Sequence, residues 1–200
     1  MFDSNIKAIL AGSWPTIVII SVIAISMRIV YLVKNKEKPI IYKELLKYAF
    51  VVYIMCLFYV VTFQDVSWST SNFIPFKEIL RYSIGSKIFF KNVIGNMIMF
   101  IPYGFFVAYF LKLEKLKTSI FMTLITSITI EVTQLIIGRV FDVDDIMLNL
   151  LGGIIGFGIY YLISKIKSKL PPILKKPIVY NIIMLILVAL ALIYLVYLVR

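Results

Sequence analysis

Ser127, Glu131, Gln134 and Gly138 stand at offsets 0, 4, 7 and 11 inside one apolar run. At 3.6 residues per turn, that spacing returns to one face of a helix. A hydroxyl, a carboxyl and an amide on one stripe can hold a proton, accept hydrogen bonds or orient a polar ligand. Asp145, Asn149, Gly152 and Gly156 repeat the same offsets in the next run, and Asn92, Asn96 and Tyr103 stand at 0, 4 and 11 in the run before. The turn Gly138–Arg139–Val140–Phe141–Asp142–Val143–Asp144–Asp145 joins the first two stripes. Arg139 is the natural partner of Glu131 there. Asp142 or Asp144 can cap the following helix, where a carboxylate meets free amides and the positive end of the dipole. Capping accounts for one aspartate of the three. The remaining acidic patch can hold a hard cation, receive a cationic headgroup, or pair with Arg81 or Lys91 of the upstream loop.

Other chemistry falls away by composition. The chain has no histidine and one cysteine, Cys56, which sits in an apolar run and can form no internal disulfide. A zinc site of the usual ligands, haem attachment through a cysteine pair and a histidine-based triad all lack their residues. No metal and no cofactor is expected. Glu131 is the best candidate for a catalytic acid or base, although no nucleophile–base pair of recognisable spacing accompanies it. Asn72, Asn96, Gln134, Arg139, Asp142, Asp145 and Asn149 are the candidate binding residues. The competing reading is glue, because hydrogen bonds between membrane helices contribute about 0.6 kcal/mol each on average. Gly152 and Gly156 fit that reading, since small residues let helices approach. A carboxyl at Glu131 fits it less well, since leucine or alanine would pack there at lower desolvation cost.

The elements that carry these residues follow from composition. Of 200 residues, 62% are hydrophobic and 16% charged, and the mean hydropathy is +0.98. Soluble domains run about 45–50% apolar and about 25% charged, and a disordered chain is poor in apolar and aromatic residues. The fold class is therefore all-α, a polytopic membrane helix bundle. A helix needs about 20 apolar residues to cross the hydrocarbon. Six runs qualify: Trp14–Val33, Leu45–Phe63, Val93–Leu111, Thr118–Ile137, Ile146–Ser164 and Ile178–Val199. The first starts late and lacks a small-residue cleavage site, so it is expected to be retained. The net charge of +11 would suggest nucleic acid in a soluble protein. Here the lysines cluster in short linkers, so the charge reports topology and no nucleic-acid partner is expected.

Lys34, Lys36, Lys38 and Lys43 follow span one, Lys112, Lys115 and Lys117 follow span three, and Lys165, Lys167, Lys169, Lys175 and Lys176 follow span five. The positive-inside rule makes these linkers cytoplasmic and places both termini outside. Spans three to five then bring Asn96, Glu131, Gln134, Asp145 and Asn149 to the outer half, with Glu131 roughly 9 Å below the outer end. The Gln64–Lys91 loop is outside too. Its Phe76, Ile79, Leu80 and Ser83 share a face and Pro75 suits a first turn, so a short interfacial or re-entrant helix is expected. Pro102 is expected to kink span three, and Arg28 to snorkel. The expected division is 1–44, a first span and basic linker; 45–165, a four-span membrane domain; and 166–200, a basic linker and last span.

Asn72–Phe73–Ile74–Pro75–Phe76, then Asn96–Met97–Ile98–Met99–Phe100–Ile101–Pro102–Tyr103–Gly104–Phe105, then Glu131, Gln134, Arg139, Asp142, Asp145, Asn149 and Gly152 resemble the VanZ-like family, over roughly residues 45–165. The resemblance implies a bacterial integral membrane protein of the cell envelope, linked through the family's namesake to teicoplanin resistance. It implies no catalytic assignment. It also implies that the polar residues gathered above form the family's site.

Three functions are compatible with these residues. The first is a protein that binds or remodels an envelope lipid, a lipid-linked cell-wall precursor or a lipoglycopeptide at the outer leaflet. Arg139, Arg81 and Lys91 would meet phosphate and the amides would meet sugar or peptide. The second is a membrane-embedded hydrolase or transferase using Glu131. The third is a small proton-coupled transporter, disfavoured because polar groups are sparse in the inner halves of the spans.

Overall fold

The computed structural model describes residues 2–63 and 70–199. Gln64 and Asp65, which open the long loop in the sequence, lie outside the described residues. The helices are α1 (Phe2–Asn35), α2 (Ile41–Phe63), α3 (Lys77–Arg81), α4 (Lys87–Phe89), α5 (Gly95–Leu111), α6 (Leu116–Ile136), α7 (Val143–Lys169) and α8 (Pro177–Val199). Six stretches among the described residues are long and apolar enough to cross a membrane, and each overlaps one of the six expected runs, the third starting earlier, at Lys87. Exposed Ile, Leu, Val and Phe side chains cover these helices, as suits a solvent of acyl chains.

The chain forms two compact units. In the first, α2 packs on α1 and α8. Arg28 does more than extend toward headgroups. Its Nε and Nη2 each donate to the Glu44 carboxylate at 2.8 Å, a fork that lysine cannot supply. Tyr48 donates to Ser21 Oγ at 2.9 Å, and the Tyr42 amide at the start of α2 donates to Asn181 Oδ1 at 3.0 Å. Cys56 is half-buried.

The second unit contains α3 to α7. Its centre is a three-helix contact built on glycine. A Cβ at Gly152 would overlap the Met97 carbonyl, one at Gly104 the Gly153 backbone, and one at Gly153 the Thr123 side chain. Backbone therefore meets backbone between α5 and α7, and α6 closes on the adjoining face of α7, with Thr123 against Gly153. Helix α6 is apolar outside and polar inside: Ser119, Thr123, Ser127 and Glu131 are buried, while Phe121, Ile125, Ile128 and Val132 are exposed. Small hydroxyl residues permit that close approach, and Thr123 Oγ1 satisfies itself on the Ser119 carbonyl at 2.9 Å. Pro102 removes one backbone donor, yet α5 runs through it from Gly95 to Leu111. The sequence does not announce the π-turn at Phe90–Ile94, between α4 and α5. It interrupts the simple helical register assumed for Asn92 and Asn96.

Candidate functional site

The site lies where the N-terminal end of α5, the C-terminal end of α6 and the N-terminal end of α7 meet the 70–86 segment. Gly138, with φ of 83°, ends α6 in the left-handed conformation that glycine adopts without strain, and the chain turns back into α7. Asp142 caps α7: its Oδ1 accepts the Asp144 amide at 2.9 Å. The turn is tied to the upstream loop by a parallel bridge between Asn72 and Asp142. The Asn72 amide donates to Phe141 O at 2.8 Å and Val143 N donates to Asn72 O at 3.0 Å. Asn72 Nδ2 donates to Asp142 Oδ1 at 2.9 Å. Burial pushes the Asp142 carboxyl above the usual range, opposed by the bonds from Asn72 and the Asp144 amide and reinforced by the charges of Asp144 and Glu78.

Asp144 has a different task from the one its position suggests. It is 1% exposed, and its carboxylate accepts three backbone amides of the loop: Phe76 at 2.5 Å, Glu78 at 2.8 Å and Ile79 at 3.1 Å. It thus supplies the cap for α3 that the local sequence lacks. This also corrects the expected start of that helix. Pro75 does not begin it; Phe76 takes φ of 67° and α3 starts at Lys77. Its faces differ from the expected ones as well. Ile79 turns to the site, whereas Phe76 and Leu80 are exposed.

Glu131 is 2% exposed. Its Oε2 accepts the Asp142 amide at 2.9 Å. With its nitrogen toward Glu131, the Gln134 amide donates to Oε1 at 3.2 Å and accepts from Arg139 Nη1 at 3.2 Å. Arginine and carboxylate are therefore joined through an intervening amide rather than by the direct pairing their spacing suggests. Asn96 Nδ2 donates to Asp145 Oδ1. Asn149 stands deeper, where its Nδ2 donates to Ser127 Oγ at 2.9 Å.

Above these contacts lies a cavity of about 400 Å³, whose lining includes Asn72, Asn96, Gln134, Arg139, Asp142 and Asp145. Glu131 and Asn149 are not in its wall; Glu131 is buried behind Gln134 and Asp142. Tyr82, Lys91 and Asn92 also line it, and Asn92 Nδ2 donates to the Tyr82 hydroxyl at 3.1 Å. Sequence reasoning singles out neither Tyr82 nor Asp144 as a binding residue. A tyrosine in an amphipathic loop carries no signal for it, and no periodicity relates Asp144 to amides 65 to 68 positions away. Among the described residues, no group of three metal-ligating side chains is placed to hold an ion. The chemical capacity of the cavity is polar recognition by carboxylates, amides and cations held on three helix ends.

A family model described as VanZ/LLP1 matches residues 50–164. The match begins within α2 and contains every residue of the site just described. Neither the curated proteins nor the solved structures contain a match.

Proposed function

Because the chain belongs to the VanZ/LLP1 family, we propose that this multi-pass membrane protein acts at the outer leaflet on an envelope lipid or lipid-linked cell-wall precursor, and so contributes to teicoplanin or related glycopeptide resistance. The observation that carries this reading is the polar cavity beside an apolar surface. Arg81, Lys91 and Arg139 stand in its lining, and Phe73, Phe76, Leu80 and Ile84 of the same segment are exposed. An amphiphile needs both surfaces in contact. Glu131 is a positioning residue in this scheme, since its two oxygens are engaged by Asp142 and Gln134.

The leaflet assignment rests on the lysines after spans one, three and five. Reporter fusions are expected to place both termini outside the cytoplasm and the Lys34–Lys43 linker inside. A cytoplasmic C-terminus would remove the outer-leaflet part of the proposal.

Binding is tested by purifying the full chain in mild detergent and identifying retained lipids by mass spectrometry. A defined subset of envelope lipids or lipid-linked precursors is expected to remain bound and to be lost from Arg139→Ala. Retention of bulk lipid in the proportions of the host membrane, unchanged by that substitution, would reject the reading.

A further inference from the structure

Resting on that reading, we propose that the cavity takes the headgroup of an amphiphile bearing both a phosphodiester and a primary ammonium, with the phosphodiester at Lys91 and Arg81 and the ammonium between Asp142 and Asp145. Hydrogen-bonding capacity is left open in the cavity wall. Asp142 uses Oδ1 for both Asn72 and the Asp144 amide, and Asp145 uses Oδ1 for Asn96. The second oxygen of each accepts no hydrogen bond among the described residues. Lys91 is exposed, lines the cavity and makes no hydrogen bond or ion pair among those residues. The cavity therefore holds unused carboxyl oxygens and an unused cationic donor.

Their depths are sorted. The Arg81 side chain is 67% exposed and bound to Glu78 through Nη1 at 3.2 Å, which leaves most of its fork of donors for a ligand. Asp142 and Asp145 are only part-exposed, and Glu131 lies buried behind them. Like charges gathered at one place disfavour their common ionisation unless a cation joins them. No lysine or arginine forms an ion pair with Asp142 or Asp145 among the described residues, so a ligand ammonium is a counter-charge that fits between them. A purely anionic head would face the aspartates without compensation. A purely cationic head would leave Lys91 unmatched. A head with phosphate outside and ammonium inside satisfies both.

Size and surroundings agree. About 400 Å³ lies toward the small end of the roughly 300–1,000 Å³ of ligand sites, which suits a compact headgroup. The acyl chains have a surface to follow: Phe73, Phe76, Leu80 and Ile84 are 68%, 52%, 80% and 89% exposed on the segment that walls the cavity.

The test uses the purified full chain with equal amounts of dioleoyl phosphatidylethanolamine, phosphatidylglycerol and phosphatidylcholine, read by native mass spectrometry, with soluble phosphoethanolamine as competitor. Phosphatidylethanolamine is expected to be retained about tenfold over the other two, the size of one charge-assisted hydrogen bond. Asp145→Asn is expected to bring phosphatidylethanolamine down to the level of phosphatidylglycerol without changing the latter. Lys91→Gln, on an exposed side chain that the fold does not need, is expected to weaken both. Phosphatidylglycerol retained as well as or better than phosphatidylethanolamine would overturn the ammonium assignment and leave the envelope-lipid reading standing. Equal retention of all three lipids, unaffected by either substitution, would overturn both. Displacement by soluble phosphoethanolamine at the same concentration as the lipid would overturn the requirement for an amphiphile.

Discussion

Asp144→Ala lowers the unfolding midpoint of the purified protein and opens the 72–81 segment to protease. The expected cost is large because one carboxylate serves three amides, those of Phe76, Glu78 and Ile79. Each buried amide left without a partner costs about 1–3 kcal/mol, so the sum is about 3 kcal/mol or more. Water enters to rescue some of these donors only if the loop lifts, and that lifting is what the protease reads. Asp144→Asn is expected to fall between alanine and the parent. An amide retains one acceptor oxygen and turns a donor toward the remaining N–H groups. Ligand retention falls in step with loop release, since Glu78, Ile79, Arg81 and Tyr82 wall the cavity. A parental unfolding midpoint and an intact loop in Asp144→Ala would show that the segment is held by something other than this carboxylate.

Glu131→Gln is expected to fold as the parent does and to lose ligand retention about tenfold or more, the equivalent of one charge-assisted hydrogen bond. The geometry gives the reason. The oxygen of the introduced amide can still accept the Asp142 N–H, which Glu131 accepts at 2.9 Å. The nitrogen of that new side chain then faces Gln134, which must turn its own oxygen inward and its nitrogen toward Arg139. The acceptor that holds Arg139 Nη1 at 3.2 Å is thereby replaced by a donor. Arg139 loses that acceptor while every backbone contact of the turn is kept. Removing a buried carboxylate also relieves desolvation, so stability is expected to be unchanged or slightly higher. In a bacterial host where the parent protects against a glycopeptide, this variant is expected to lose protection at normal expression. Full protection and full lipid retention by a folded Glu131→Gln protein would leave the carboxylate a packing role only. Arg139→Lys distinguishes a fork from a charge, because lysine keeps the charge and cannot make the planar two-point contact.

Much of the site is legible in the residues alone. The stripes Ser127–Glu131–Gln134 and Asp145–Asn149–Gly152 appear in the sequence at helical spacing, and in the fold they meet where Asn149 reaches Ser127, while Gly152 lies against the α5 backbone. Asn72 and Asn96, separated from the aspartates by some 50 to 70 positions, do reach Asp142 and Asp145. Asn96 is marked by its helical spacing from Asn92 and Tyr103, whereas Asn72 is marked by its motif alone. The acidic turn reads as a cap with spare carboxylates, and Asp142 is that cap. What the spare Asp144 carboxylate does is hidden in the sequence, and so is the left-handed Phe76 that replaces a helix start at Pro75.

The sequence by itself determined the all-α class, the six apolar spans and the polar face of each central helix. Hydropathy adds up residue by residue along the chain, and a period of 3.6 is a property of the helix alone. Only the tertiary structure decided what each polar face meets. It set Gln134 between Glu131 and Arg139, joined Arg28 to Glu44 in the other unit, and placed the π-turn that carries Lys91 and Asn92 into the cavity wall. The physical reason is that a hydrogen bond forms wherever a buried donor finds an acceptor within reach. In a bundle packed on glycine, that reach depends on how closely the backbones of α5, α6 and α7 approach. Spacing along one helix tells which side a residue faces and says nothing of which atom waits on the helix opposite.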